Sequence, residues 1–323
     1  MIPSSNHRFC TFPCVSIGFI LLSMIFSVGW AGAADKEQRL PDSAAFNSDA
    51  TFIVYTDKVT PPGELLPTNS EIWTVFSDGQ GRRCLTSGHK DTHPCISPDG
   101  KQIIFERDGD GDIWMMNFDG GNVHNLTNTP KVYEHGAQFS NDGASLFLLS
   151  PAQGFTDVLV QLNLNDGTRR QLLGEEYAVK AVFPEPDDDK VALVLCNAVD
   201  ANGKAILWTD ATIVAVPLDG SSPCSVFKAP KGYDISMARS GGAHLVIYSS
   251  VPGKYGSQTF LLKKAGANTA TVADLKHLEE IAFLGDLSCD GKSVIGSAIT
   301  SGIDHWGIMS YDTATEKYRT VME

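Results

Sequence analysis

The chain has 323 residues, 42% of them hydrophobic and 20% charged, the balance of a folded globular protein and not of a disordered one. Its formal charge of −13 excludes nucleic acid or an anionic membrane surface as the main partner, because both select clustered Lys and Arg. The length is enough for one large all-β domain or two smaller domains.

Residues 1–34 differ in character from the rest of the chain. Arg8 and the amino terminus give a positive start, residues 15–30 form a 16-residue run without charge, and Ala31-Gly32-Ala33 has the small-x-small form of a cleavage site. The run falls short of the ~20 residues a spanning helix needs. The segment is therefore expected to be a secretory signal peptide, leaving residues 35–323 as a secreted or periplasmic domain that does not span the membrane. Cys84, Cys95, Cys196, Cys224 and Cys289 lie beyond it without CxxC spacing, so no zinc site is indicated. They are expected as small buried apolar groups, with a single bridge as the alternative.

From residue 47 onward one pattern recurs: a turn, an alternating strand, a second turn, a strand, a third turn and a short strand. It is clearest in SPDGKQIIFERDGDGDIWMMNFDGGNVHNLT (97–127). Upstream, NSDATFIVYTD (47–57) and SEIWTVFSDGQGRRCLT (70–86) match it. Downstream come SNDGASLFLLS (140–150) with TDVLVQLNLNDGTRRQLL (156–173), and SCDGKSVIGSAIT (288–300) with DHWGIMSYDTATEKYRTVM (304–322). Eroded copies fill 184–227 and 238–272. The marker aspartates Asp49, Asp99, Asp142, Asp187 and Asp290 are separated by 50, 43, 45 and 103 residues, the last interval being two periods. Six four-stranded units cannot each bury both faces alone, and radial packing solves this. The expected fold is all-β, a single six-bladed β-propeller of four-stranded blades over residues 35–323. Two separate β-sandwiches would not predict so regular a period.

Asp108-Gly-Asp110-Gly-Asp112 has the alternating carboxylates of a calcium loop. Its flanks suit strands, however, and Ile113 and Asp119 stand where such a loop needs Gly and Glu. A hairpin turn is expected there, with a structural role for Asp112, Asp157 and Asp304 ahead of a third strand.

SPDGKQIIF followed by GDIWMMNFDGGNVHNLT resembles the PD40 repeat, the WD40-like unit found in the propeller of TolB-type periplasmic proteins. Related repeats occur in the propellers of prolyl-oligopeptidase-type peptidases. The resemblance implies a propeller in the cell envelope that binds a protein. It carries over neither the α/β domain that precedes the propeller in TolB nor a peptidase site, because G-x-S-x-G is missing.

In such a ring, the loops leading into each first strand and those between second and third strands share one face around the channel. That face should carry His89, Asp91, His93, Tyr133, Glu134, His135, Tyr177, Lys180, Trp208 and Tyr233 as candidate ligand-binding residues. His93 and His135 precede the SPDG and SNDG turns by four and five residues and are read as the same register in adjacent copies. Imidazole and carboxylate side by side suit a divalent metal, so these two are the candidate metal ligands; otherwise they bond neighbouring loops and no cofactor is expected. No catalytic motif is present. The expected function is a binding module for a protein or a cell-envelope glycan; the alternative is a metal-assisted polysaccharide lyase or hydrolase acting at the channel mouth.

Overall fold

The computed structural model describes residues 37–109, 111–129, 131–151, 157–197, 211–251, 257–264, 275–299 and 306–322. Among them the chain forms strands in six successive sets of four, a single 3₁₀ turn at Glu175–Tyr177 and no α-helix. The first set is β1 (Gln38–Phe46), β2 (Phe52–Thr60), β3 (Asn69–Phe76) and β4 (Arg83–Cys84). The second is β5 (Asp91–Ile96), β6 (Gln102–Arg107), β7 (Asp112–Asn117) and β8 (His124–Asn125). The third is β9 (His135–Phe139), β10 (Ser145–Pro151), β11 (Asp157–Asn163) and β12 (Arg169–Leu173). The fourth is β13 (Val179–Glu185), β14 (Asp188–Cys196), β15 (Thr212–Pro217) and β16 (Cys224–Lys228). The fifth is β17 (Asp234–Gly241), β18 (His244–Ser250), β19 (Ser257–Lys263) and β20 (Lys276–His277). The sixth is β21 (Phe283–Leu287), β22 (Ser293–Ile299), β23 (Trp306–Asp312) and β24 (Lys317–Met322).

Neighbours within a set pair antiparallel. Four sets stand as separate four-stranded sheets, whereas the third and fourth are joined into one eight-stranded sheet by a single pair, Asp157 with Val179. The apolar run Ile103-Ile104-Phe105 shows why the second strands are hydrophobic throughout. Ile103 and Phe105 face Val54 and Ile72 of the first set, while Ile104 faces Phe139, Leu146 and Leu148 of the third. Successive side chains of a strand point to opposite faces, and here both faces are covered.

An apolar cluster of this kind lies between each consecutive pair of sets. A sixth cluster sets Ile53, Tyr55 and Val75 against Ile295, Ile308 and Val321, joining the first set to the last. The first strands touch in cyclic order, β1 on β5, β5 on β9, and so on to β21 on β1. Radial sheets closed in this way form a β-propeller.

The recurring Ser-x-Asp-Gly turn has a local cause. Ser97, Ser140 and Ser288 donate their hydroxyls to Asp99, Asp142 and Asp290 at 2.7, 2.6 and 2.8 Å. Each following Gly takes a positive φ of 73°, 69° or 71° as the turn closes, a conformation open to Gly without cost.

At the seam no strand is exchanged between the first and sixth sheets among the described residues. The Phe46 amide donates to Asp286 Oδ2 at 2.9 Å, and Ser297 Oγ donates to the Pro41 carbonyl at 2.6 Å. Gly79, at φ 90°, packs so closely on this seam that a Cβ there would overlap the Val321 carbonyl oxygen. The five cysteines are unbridged, and only Cys196 is buried; Cys84, Cys224 and Cys289 are exposed, contrary to the expectation that they fill the core.

Candidate functional site at the channel mouth

Each first strand is bulged against its second strand. The register shifts between Asp42 and Ala45 in β1, Thr92 and Cys95 in β5, His135 and Gln138 in β9, Val179 and Ala181 in β13, Ile235 and Met237 in β17, and Leu284 and Asp286 in β21. A bulge inserts an unpaired residue and re-aims its side chain, here in the strands nearest the channel. In the first three sets the bulged residue has a left-handed φ: Ser43 at 50°, His93 at 51° and Gly136 at 63°.

This corrects the register read from spacing. Asp42 pairs with Thr56, Thr92 with Glu106 and His135 with Leu149, so His135 is equivalent to Thr92 and Asp42. The equivalent of His93 is Gly136. The offset was present in the spacing, four residues from His93 to Ser97 against five from His135 to Ser140, because β5 and β9 carry the same bulge.

Four charge pairs succeed one another around the mouth. Lys58 bonds Asp42 within the first set. His93 Nδ1 lies 3.1 Å from Glu106 Oε2, and the Gly136 amide of the third set donates to Glu106 Oε1 at 2.7 Å. His135 Nε2 lies 3.2 Å from Asp157 Oδ2. Lys180 Nζ donates to Asp234 Oδ1 at 2.9 Å and to the Ile235 carbonyl at 2.8 Å, tying the fourth set to the fifth.

The electrostatics stem from these contacts. The Glu106 charge raises the His93 pKa above its ordinary 6.5, against burial and with help from their hydrogen bond and from Asp42. Burial opposes the charge on His135, but the hydrogen bond and charge of Asp157 outweigh it and raise that pKa as well. Burial likewise acts against ionised Glu106, yet His93 and the Gly136 amide hold its pKa below the ordinary 4.5. Asp42 is also held low, Lys58 overcoming the cost of burial.

The expected site residues separate into groups. His93 is 54% exposed on its side chain, while its partner Glu106 is 13% exposed. Tyr133 is exposed, its ring 6.0 Å from that of His135. His135 and Lys180 are partly buried, and His89 is exposed, its carbonyl accepting from the Ser70 amide at 3.3 Å. Asp91, Glu134 and Tyr233, expected at the surface, are buried. Asp91 accepts two bonds from Arg107, at 2.7 and 2.9 Å, and the same guanidinium lies 4.3 Å over the Trp114 ring. Glu134 pairs with Arg169. Tyr233 packs in the apolar cluster between the fourth and fifth sets. Tyr177 lines a separate cleft of about 340 Å³ beside β12, with Arg170, Leu173 and Val216. Trp208 lies outside the described residues.

Sequence reasoning missed Asp42, Lys58, Glu106, Asp157 and Asp234 as partners at the mouth. One signal was present for Glu106. It stands at the register of Thr56 and Leu149 in the neighbouring copies, so it is a carboxylate breaking an apolar strand.

No protein family and no curated protein matches the sequence. Solved structures do match it. TolB from Acinetobacter baumannii superposes with a TM-score of 0.52 at 16% identity, over 72% of this chain and 53% of that one. The manganese complex of an oligogalacturonate lyase gives 0.56 at 12%, over 88% and 77%. The β-propeller domain of the trilobed protease from Pyrococcus furiosus gives 0.52 at 11%, over 88% and 83%.

The fold is that of the TolB-like propellers. The chain spans about half the length of the Acinetobacter TolB. At these identities the likeness is one of fold, and propellers host unrelated functions. His93 and His135 are each turned to a carboxylate of their own, and among the described residues no three His, Cys, Asp or Glu side chains converge as metal ligands. Among those residues no helix is long and apolar enough to cross a membrane.

Proposed function

We propose that the chain is a six-bladed propeller that works as a binding module of the cell envelope, taking a protein or a glycan on its channel-mouth face. The blade count treats the eight-stranded sheet as two blades linked by the one pair Asp157–Val179, and the six inter-set apolar clusters support it. The observation that carries the binding reading is the partly exposed ring of His93, Tyr133, Asp42 and Asp157 at the end of the channel. Polar groups converging on a rim with an exposed aromatic are the usual dress of a recognition surface. On this reading residues 1–34 are a secretory signal peptide and residues 35–323 act in the periplasm or outside the cell.

The test compares the two faces. Tyr133→Ala with His93→Asn alters the mouth, while Phe76→Asp alters an exposed residue at the far end of β3. Retention of the protein on isolated envelope fractions should fall at least tenfold in the mouth variant and persist in the Phe76 variant. The reverse result would place binding on the other face. Metal analysis of the purified protein checks the lyase alternative: a stoichiometric transition metal removed by His93→Asn would replace the binding reading.

A further inference from the structure

We propose that His93 is the hydrogen-bond-accepting centre of a carbohydrate subsite at the channel mouth, its Nε2 taking a sugar hydroxyl while Glu106 fixes the ring from behind. The inference rests on the binding reading above and names its ligand chemistry.

The backbone supplies the first argument. Within β5 a φ of 51° is costly for a residue with a side chain. The equivalent bulge in β9 is filled by Gly136, which bears that angle freely. The second set instead carries an imidazole there, its Nδ1 held 3.1 Å from Glu106 Oε2.

The second argument is the tautomer. Glu106 is ionised and so can only accept; one oxygen is occupied by the Gly136 amide, and the other faces His93 Nδ1. Nδ1 therefore carries the hydrogen, and the neutral ring has its lone pair on Nε2. Among the described residues Nε2 meets no partner. The side chain as a whole is 54% exposed, so a ligand can reach the ring from solvent.

The surroundings select the ligand class. Asp42, Asp157 and His93 Nε2 are acceptors, and the Tyr133 ring stands exposed beside His135. Hydroxyl donors met by fixed acceptors, next to an aromatic plane that can cover an apolar C–H face, describe a sugar ring. Acceptance by Nε2 also links binding to the protonation of His93. The charged groups facing that ring are Glu106 from β6, Asp42 from β1, Lys58 from β2 and His135 from β9. The three carboxylate and lysine neighbours keep their charges from pH 6 to 8, so the change over that range comes from His93 and His135.

A printed glycan array probed with the full chain at pH 8 and pH 6 tests this. At least one glycan should be retained, at least fivefold more strongly at pH 8, and His93→Asn should weaken it at least tenfold; Asn tolerates the left-handed angle. Glu106→Gln should weaken it too, because the ring loses its orientation. In wild-type protein, nitrogen NMR of labelled histidine should show Nε2 of His93 unprotonated at pH 8 and shifting when the retained glycan is added, a readout that does not depend on any variant folding. No glycan retained at either pH, or equal retention by His93→Asn, overturns the subsite. Retention on envelope protein that depends on the exposed Leu65 and Leu66 and ignores His93 also overturns it, while leaving the binding-module reading intact.

Discussion

A carboxylate inside a propeller wall needs a fixed donor, and the chain meets that need with an arginine at two positions and with an imidazole and an amide at a third. Asp91 has Arg107, Glu134 has Arg169, and Glu106 has an imidazole and an amide. Only the last set uses a side chain whose ordinary pKa lies near neutrality, which gives stability a distinct pH profile. The pKa values of His93 and His135 are raised in the folded state, so their contribution is complete below 6.5, the unfolded value, and is lost as pH rises through the folded values. The pKa of Glu106 is lowered, so its contribution is present above 4.5 and is lost as pH falls through its folded value. The mouth therefore stabilises the fold most between pH 4.5 and 6.5. The difference in melting temperature between wild type and Glu106→Gln should peak in that window and shrink on both sides. A difference that is flat from pH 4 to 8 would show that the His93–Glu106 pair adds nothing.

At the scale of the element, Asp112 has a structural part in its calcium-like sequence, of which Asp110 lies outside the described residues. Its carboxylate accepts from Asn125 Nδ2 at 2.7 Å, from the Thr129 amide at 2.9 Å and from the Thr129 hydroxyl at 3.0 Å. It pins the segment leaving β8 to the start of β7. Asp112→Ala should cost roughly 2–3 kcal/mol, the scale of hydrogen bonds to a charged group whose partners are left unpaired, and chelator should leave the wild-type melting temperature unchanged. Denaturant unfolding measures the first and a thermal scan the second. The strands and turns were legible in the sequence because their causes are local: Ser97, Asp99 and Gly100 build a turn without help from elsewhere. The site was legible only in part. His93 and Tyr133 announce themselves by residue type, but Glu106 acquires its role from His93 on β5 and Gly136 on β9. The one-residue offset between His93 and His135 was legible too, as four residues to Ser97 against five to Ser140, but reading the two as one register passed over it.

For the molecule as a whole, the period of the marker aspartates foretold a ring, and the manner of its closure is what only the coordinates supply. Closure rests on the Ile53–Ile295 cluster and a few cross-seam bonds, with Gly79 allowing the closest approach. Gly79→Ala should destabilise by about 1–3 kcal/mol, through both its positive φ and the overlap with Val321. It should also speed amide exchange in β24 more than in β8. Gly63→Ala is the control, since Gly63 has the same sign of φ, at 83°, and open space around it; it should show only the backbone cost. Equal effects of the two substitutions would show that the seam is not tight at Gly79.

A ring sealed at its seam by side chains, with no ladder among the described residues running from the first sheet to the sixth, is mechanically a split washer. Prising it open at the seam severs no ladder, so its two ends can part while each blade stays whole.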